Sequence, residues 1–162
     1  MCVAVEPLDC PTDMVFVVDQ SGSIGPANFN QMKTFLSHLV SRLDIDSGHT
    51  RVGLITYSSG VGNGFNLSDY STIASVQSAV SSLTYTGGGS NTAGALAYVH
   101  TTMLTSAAGD RSNVPNVVIV LTDGQSNSQS ATRVSYHQKY LTLYLTLCGP
   151  IRESIIPLGL VD

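Results

Sequence analysis

Charge is scarce in this sequence. Asp, Glu, Lys and Arg make up only 11% of its 162 residues, against about 25% in an average domain. The seven Lys and Arg form no run, so the basic stripe of a nucleic-acid footprint is missing and no nucleic-acid partner is expected. No stretch of 18 or more apolar residues occurs, and no membrane span is expected. The opening MCVAVEPLDC has neither a basic segment nor a long apolar one. It does not read as a signal peptide, which leaves an intracellular protein or a piece of something longer. Cysteine is limited to Cys2, Cys10 and Cys148. An odd number cannot close fully within one chain, and buried thiols and a disulfide both stay open. No cluster of His and Cys has the spacing of zinc ligands, which argues against zinc.

What is present is apolar and regularly spaced. Apolar residues are 43% of the chain, enough for one folded domain with a sizeable core. Met14 to Val18 form a short, branched, unbroken apolar run, the pattern of a strand buried on both faces. Pro26 then suits a first helical turn. Phe29, Met32, Phe35, Leu36, Leu39, Val40 and Leu43 follow at three- and four-residue steps, which predicts an amphipathic helix. Arg51 to Ser58 reads as a second strand. SGVGNGFNLSDY reads as a turn and a short edge strand; its NLS triplet at Asn66 fits a glycosylation sequon. Ile73, Val76, Val80 and Leu83 mark a second helix, with Ser71 as the expected N-cap. TGGGSNTAGAL is a glycine-rich loop entering a third helix through Leu96, Val99, Met103 and Leu104. Asn116 to Ser126 repeats the opening pattern of apolar strand, acid, glycine and serine. Strands alternating with helices predict an α/β domain, in which ligands bind beyond the carboxyl ends of the strands.

Asp19 and Asp123 each stand at such an end, and Ser90 precedes a helix that can approach the same edge. A lone Asp or Ser there ordinarily caps a helix or closes a turn. Two carboxylates at neighbouring strand ends, with no Lys or Arg in either motif, repel unless a cation lies between them. Ser21 and Ser23 add neutral oxygens. This all-oxygen set suits Mg²⁺, Mn²⁺ or Ca²⁺.

Catalytic patterns fail on inspection. A haloacid-dehalogenase-type site needs a second Asp where Ser21 stands. GGGSNTAG lacks the Gly-Lys-Ser/Thr ending of a P-loop, and GSIG lacks the G-x-S-x-G spacing of a hydrolase elbow. His38, His49, His100 and His137 read as surface or core residues. No enzyme is expected.

Together DQSGS, GGSNT and LTDGQS, in this order and context, resemble the von Willebrand factor type A domain of the extracellular-matrix (matrilin- and collagen-like) type. The resemblance spans about Asp13 to His137. It implies a three-layer, doubly wound, mostly parallel sheet with one short antiparallel edge strand and helices on both faces. It also implies a MIDAS-type metal site. Ser21, Ser23 and Ser90 would then meet the ion, with Asp19 acting largely through water and Asp123 supplied by the T-D-G motif. Ser90 stands where the family usually has threonine, and it keeps the hydroxyl. The implied function is metal-dependent adhesion in a secreted matrix protein. A partner carboxylate, from a collagen, another matrix protein or another type A domain, would complete the cation's shell. An intracellular type A domain serving assembly or an ATPase partner is the alternative.

The implied division is a lead-in over 1–12, the domain over 13–138, and a divergent tail over 139–162 with at most one added strand at 140–148. The family pattern is not met in that tail, so the fold is expected to be incomplete at its C-terminus. Cys148 is expected to lack an intrachain partner.

Overall fold

The structure is a computed structural model and describes residues 11–123. The expected boundary at 138, the strand at 140–148, His137 and all three cysteines lie outside the described residues.

Among the described residues four strands form one sheet in the order β3-β2-β1-β4. Strand β1 (Thr12–Asp19) is central and runs parallel to β2 (Thr50–Tyr57) on one side and to β4 (Asn116–Leu121) on the other. The short β3 (Val61–Phe65) closes the far edge antiparallel to β2. The mostly parallel α/β sheet with an antiparallel edge strand therefore stands as the sequence predicted.

The unbroken apolar run of β1 exists because both faces of the sheet are covered. Phe16 and Val18 point to a core shared with α1 (Gly25–Val40) and α2 (Ile73–Ser82). Val15 and Val17 point to a second core with Ala95, Val99 and Met103, on α3 (Thr92–Tyr98) and the π turn that continues it (Val99–Met103). All four β1 side chains are fully buried. Each such side chain removed from water is worth about 1.5–3 kcal/mol, so this strand anchors both layers.

Several local expectations shift. Helix α1 stops at Val40 rather than reaching Leu43. The Ser41 hydroxyl donates to the His38 carbonyl (2.7 Å) and turns the chain out. Phe35 is 52% exposed, because Leu36, one 100° step away, takes the inward position and is fully buried. The N-cap of α2 is Thr72 rather than Ser71. Thr72 Oγ1 accepts the Ser75 N–H (3.2 Å), and Ser75 Oγ accepts the Thr72 N–H (3.3 Å), a capping box with serine in the place of glutamate. The third helix is broken into a short α segment and a π turn instead of continuing evenly to Leu104.

One ion pair escaped the sequence pattern. Asp13, at the start of β1, has 0% exposure. Its Oδ1 accepts Arg111 Nε (2.8 Å) and faces Nη2 (2.7 Å), and its Oδ2 accepts the Arg111 backbone N–H (2.7 Å). The same guanidinium donates to the carbonyls of Gly48, Thr12 and His49. One side chain thus ties the loops before β1, β2 and β4 together. Truncating one partner of a buried pair strands the other charge, at a cost of about 3–5 kcal/mol. Arg111→Ala is expected to lower unfolding free energy by that order in urea titrations. Arg111→Lys should recover little of it, since an ammonium cannot reproduce the fork. A loss below about 1 kcal/mol for the alanine variant would show that the pair is not a fastening.

Candidate metal centre

Parallel pairing brings the carboxyl ends of three strands to one edge. Asp19 lies opposite Tyr57, and Val18 lies opposite Leu121, so the residue after β4, Thr122, comes level with Asp19. Asp19 itself has 0% exposure. Its Oδ1 accepts the Ser21 N–H (2.8 Å). Its Oδ2 accepts three hydroxyls, from Thr122 (2.8 Å), Ser90 (3.1 Å) and Tyr57 (3.2 Å). Among the described residues no Lys, Arg or His pairs with this carboxylate. A buried carboxylate held by three hydroxyls and one backbone N–H, all neutral, is the unusual feature of the edge, because buried charges are ordinarily paired or bound to a metal.

The hydroxyls continue past Asp19. Ser21 Oγ, buried, and Ser23 Oγ, exposed, lie 3.1 Å apart. Thr92 Oγ1 lies 3.2 Å from Tyr57 OH and 3.4 Å from Ser90 Oγ. Burial pushes the Tyr57 phenol above its ordinary value of 10.0, and the Asp19 charge pushes the same way against the neighbouring hydroxyls of Thr92, Thr122 and Ser90. Tyr57 therefore stays a neutral donor at neutral pH.

The loops that present these groups are clamped by backbone bonds. The Gly22 N–H donates to the Gly88 carbonyl (2.8 Å), and Tyr85 OH donates to the Ser21 carbonyl (3.0 Å). The Asn91 N–H donates to the Ser58 carbonyl (2.7 Å). Gly88 sits at φ +107°, a conformation other residues rarely adopt, and so suits the turn at which the Ser90 loop meets the first serine loop.

Of the residues singled out in the sequence, Asp19 touches both Ser21, through its backbone, and Ser90, and Ser21 touches Ser23. Asp123 follows Thr122 at the same edge. It is exposed, and it helps line a groove of about 340 Å³ with Ile24, Asn28, Met32, Phe35 and Leu121. Tyr57 and Thr122 were missed. The register of parallel strands is the signal that would have exposed them, since Tyr57 and Thr122 end the two strands flanking Asp19.

The donor set fits a small hard cation. A hydroxyl that gives its proton to Asp19, as Ser90 does, can still offer an oxygen lone pair to a metal, and the 3.1 Å between Ser21 and Ser23 matches neighbouring ligands at about 2.1 Å, which lie ~3 Å apart. Among the described residues no three His, Cys, Asp or Glu side chains gather, so a cation at this edge would have to be held largely by hydroxyls. Nor is a catalytic relay built at the nearest serine–histidine pair. Ser47 Oγ (2.8 Å) and Asp44 Oδ2 (3.2 Å) both face Nδ1 of His49, instead of opposite ring nitrogens.

Comparison with known proteins agrees with this architecture. The family model of the von Willebrand factor type A domain matches residues 13–149. The collagen alpha-4(VI) chain of Mus musculus is 39% identical over 121 residues, covering 74% of this chain and 5% of that protein. Matrilin-1 of Mus musculus is 42% identical over 118 residues, covering 71% of this chain and 24% of that protein. This chain thus spans only a small part of these relatives. Proximal thread matrix protein 1 from the mussel byssus superposes with a TM-score of 0.73 at 25% identity, over 80% of this chain and 35% of that one. A structure of the same byssus protein with a zinc-occupied MIDAS motif superposes with a TM-score of 0.73 at 24% identity. With strand order, loop convergence and sequence in agreement, this chain belongs to the von Willebrand factor type A domain family.

Proposed function

We propose that the hydroxyl-lined edge binds a divalent cation and through it a carboxylate of a partner protein in the extracellular matrix. The observation that carries this reading is the fully buried Asp19, which has no cation partner among the described residues and lies beneath a layer of serine and threonine hydroxyls. Ser21, Ser23 and Ser90 would hold the ion directly, Asp19 would orient their hydroxyls from behind, and Asp123 would add charge from the β4 side. Mg²⁺ suits the spacing, with Mn²⁺ or Ca²⁺ as substitutes. Bound chiefly by neutral oxygens, such an ion keeps enough positive charge to take one more carboxylate. The matrix relatives support a secreted protein, with a collagen or another type A domain as partner. The matrix relatives likewise support binding without catalysis.

A cation bound only by the folded state stabilises it by about 2.7 kcal/mol at a hundredfold excess over Kd, or on the order of 5–15 °C in Tm for a domain of this size. Chelator-stripped protein is expected to show that rise on adding Mg²⁺ or Mn²⁺, read by differential scanning fluorimetry. Ser23→Ala, an exposed change that should leave the fold intact, and Asp19→Ala should both abolish it. An unchanged Tm at millimolar metal would sink the site.

Adhesion has its own test. Wild-type protein is expected to be retained on immobilised matrix extract in Mg²⁺ and released by chelator, while Ser23→Ala passes through in both conditions. Equal retention in excess chelator would rule out metal bridging. Metal-dependent turnover of a phosphate ester or peptide would rule out a purely adhesive role.

A further inference from the structure

The NLS triplet at Asn66 to Ser68 has no part in the cation edge, and its surroundings give it a different use. Asn66 follows directly on β3. Its backbone N–H donates to Asp69 Oδ2 (2.7 Å), and its carbonyl accepts the Asp69 N–H (3.2 Å). The turn is pinned from below by Leu67, 1% exposed in the second core. Asp69, not Asn66, supplies the side chain that closes this turn. The Asn66 amide makes no hydrogen bond among the described residues and is partly exposed, while Ser68, Asp69 and Tyr70 are exposed. The fold therefore uses the backbone of residue 66 and leaves its side chain free for chemistry. No other asparagine in the sequence is followed two positions later by serine or threonine.

The geometry points to Asn66 as an N-linked glycosylation site on the face away from the metal edge. The inference rests on the extracellular reading above, since the modification belongs to the secretory pathway. In the transfer, the Asn66 amide nitrogen forms a bond to the anomeric carbon of an oligosaccharide carried on a lipid diphosphate. The bond from that carbon to the diphosphate oxygen breaks. The amide proton leaves with the released lipid diphosphate, and nothing is oxidised or reduced. Ser68 supplies the hydroxyl the acceptor triplet requires. In the fold that hydroxyl makes only a long contact to the Ala108 carbonyl (3.4 Å), so its loss hardly disturbs the turn.

Position gives the glycan a consequence. Strand β3 starts at Val61, opposite Tyr57 at the cation edge, and runs away from it to Phe65, opposite Leu54. The Leu67 backbone nitrogen lies beside Gly53, four residues before Tyr57 on β2, which at ~3.3 Å per residue places the attachment point roughly 13 Å from the edge. Ser68 also hydrogen-bonds Ala108, and the adjoining Gly109 carbonyl accepts Arg51 Nη1 (2.7 Å) near the start of β2. A sugar at Asn66 would shield the edge strand β3 from pairing with another chain while leaving the cation edge open.

The test is peptide mapping of the 162-residue chain, secreted from cultured animal cells behind an added signal peptide. The expected result is a glycopeptide at Asn66 that peptide N-glycosidase converts to Asp. Asn66→Gln and Ser68→Ala should be secreted without it, and Ser68→Thr should keep it. The Mg²⁺-induced rise in Tm should be the same before and after sugar removal. Secreted wild-type protein with unmodified Asn66, or a glycan persisting in Ser68→Ala, overturns the assignment. A missing Mg²⁺ response with a glycosylated Asn66 would count against the metal reading alone.

Discussion

The candidate edge is organised around one buried carboxylate. Asp19 closes the central strand inside the protein, where an isolated carboxylate is costly unless compensated. Three hydroxyls and a backbone N–H compensate it locally. Those four donors come from the loop after β1, the end of β2, the glycine-rich loop before α3 and the end of β4. Satisfying a single carboxylate therefore fixes the relative positions of four chain segments.

The other end of β1 offers a built-in comparison. Asp13 is equally buried, yet its carboxylate is gripped by Arg111, through two guanidinium contacts to Oδ1 and the Arg111 backbone N–H to Oδ2. That charge is neutralised permanently, and the arginine spends its remaining donors on three carbonyls. One strand thus carries two buried acids with opposite fates. Asp13 is fastened within the fold, while Asp19 is held by neutral groups and remains electrostatically unfinished. That asymmetry separates a structural ion pair from an edge suited to bind something.

Much of the architecture was legible because it follows from periodicity. The unbroken run from Val15 to Val18 announced a doubly covered strand, and the spacing of Phe29, Leu36 and Val40 announced α1. The misreadings are equally local. Phe35 shares the apolar spacing of its neighbours, but the sheet lies on the Leu36 side of the helix, and only packing decides which of two adjacent apolar residues turns inward. Ser71 and Thr72 are both good caps, and the choice fell to Thr72 because Ser75 stands three residues beyond it and can return the bond. The π turn at Val99–Met103 left no mark in the pattern, since its apolar residues still face the core.

The candidate site divides along the same line. Asp19, Ser21, Ser23, Ser90 and Asp123 were named from short motifs, because a run of apolar residues that ends in an acid and hydroxyls shows in one dimension where a strand stops and what stands there. The roles of Tyr57 and Thr122 were invisible, as was the Asp13–Arg111 pair. Their roles depend on which strands lie side by side and in what register, and residues 38 and 103 positions from Asp19, or 98 from Asp13, become neighbours only when the sheet closes. Composition and period are properties of the chain and survive in its order of residues. The compensation of a buried charge is a property of the space around it, and that space exists only after folding.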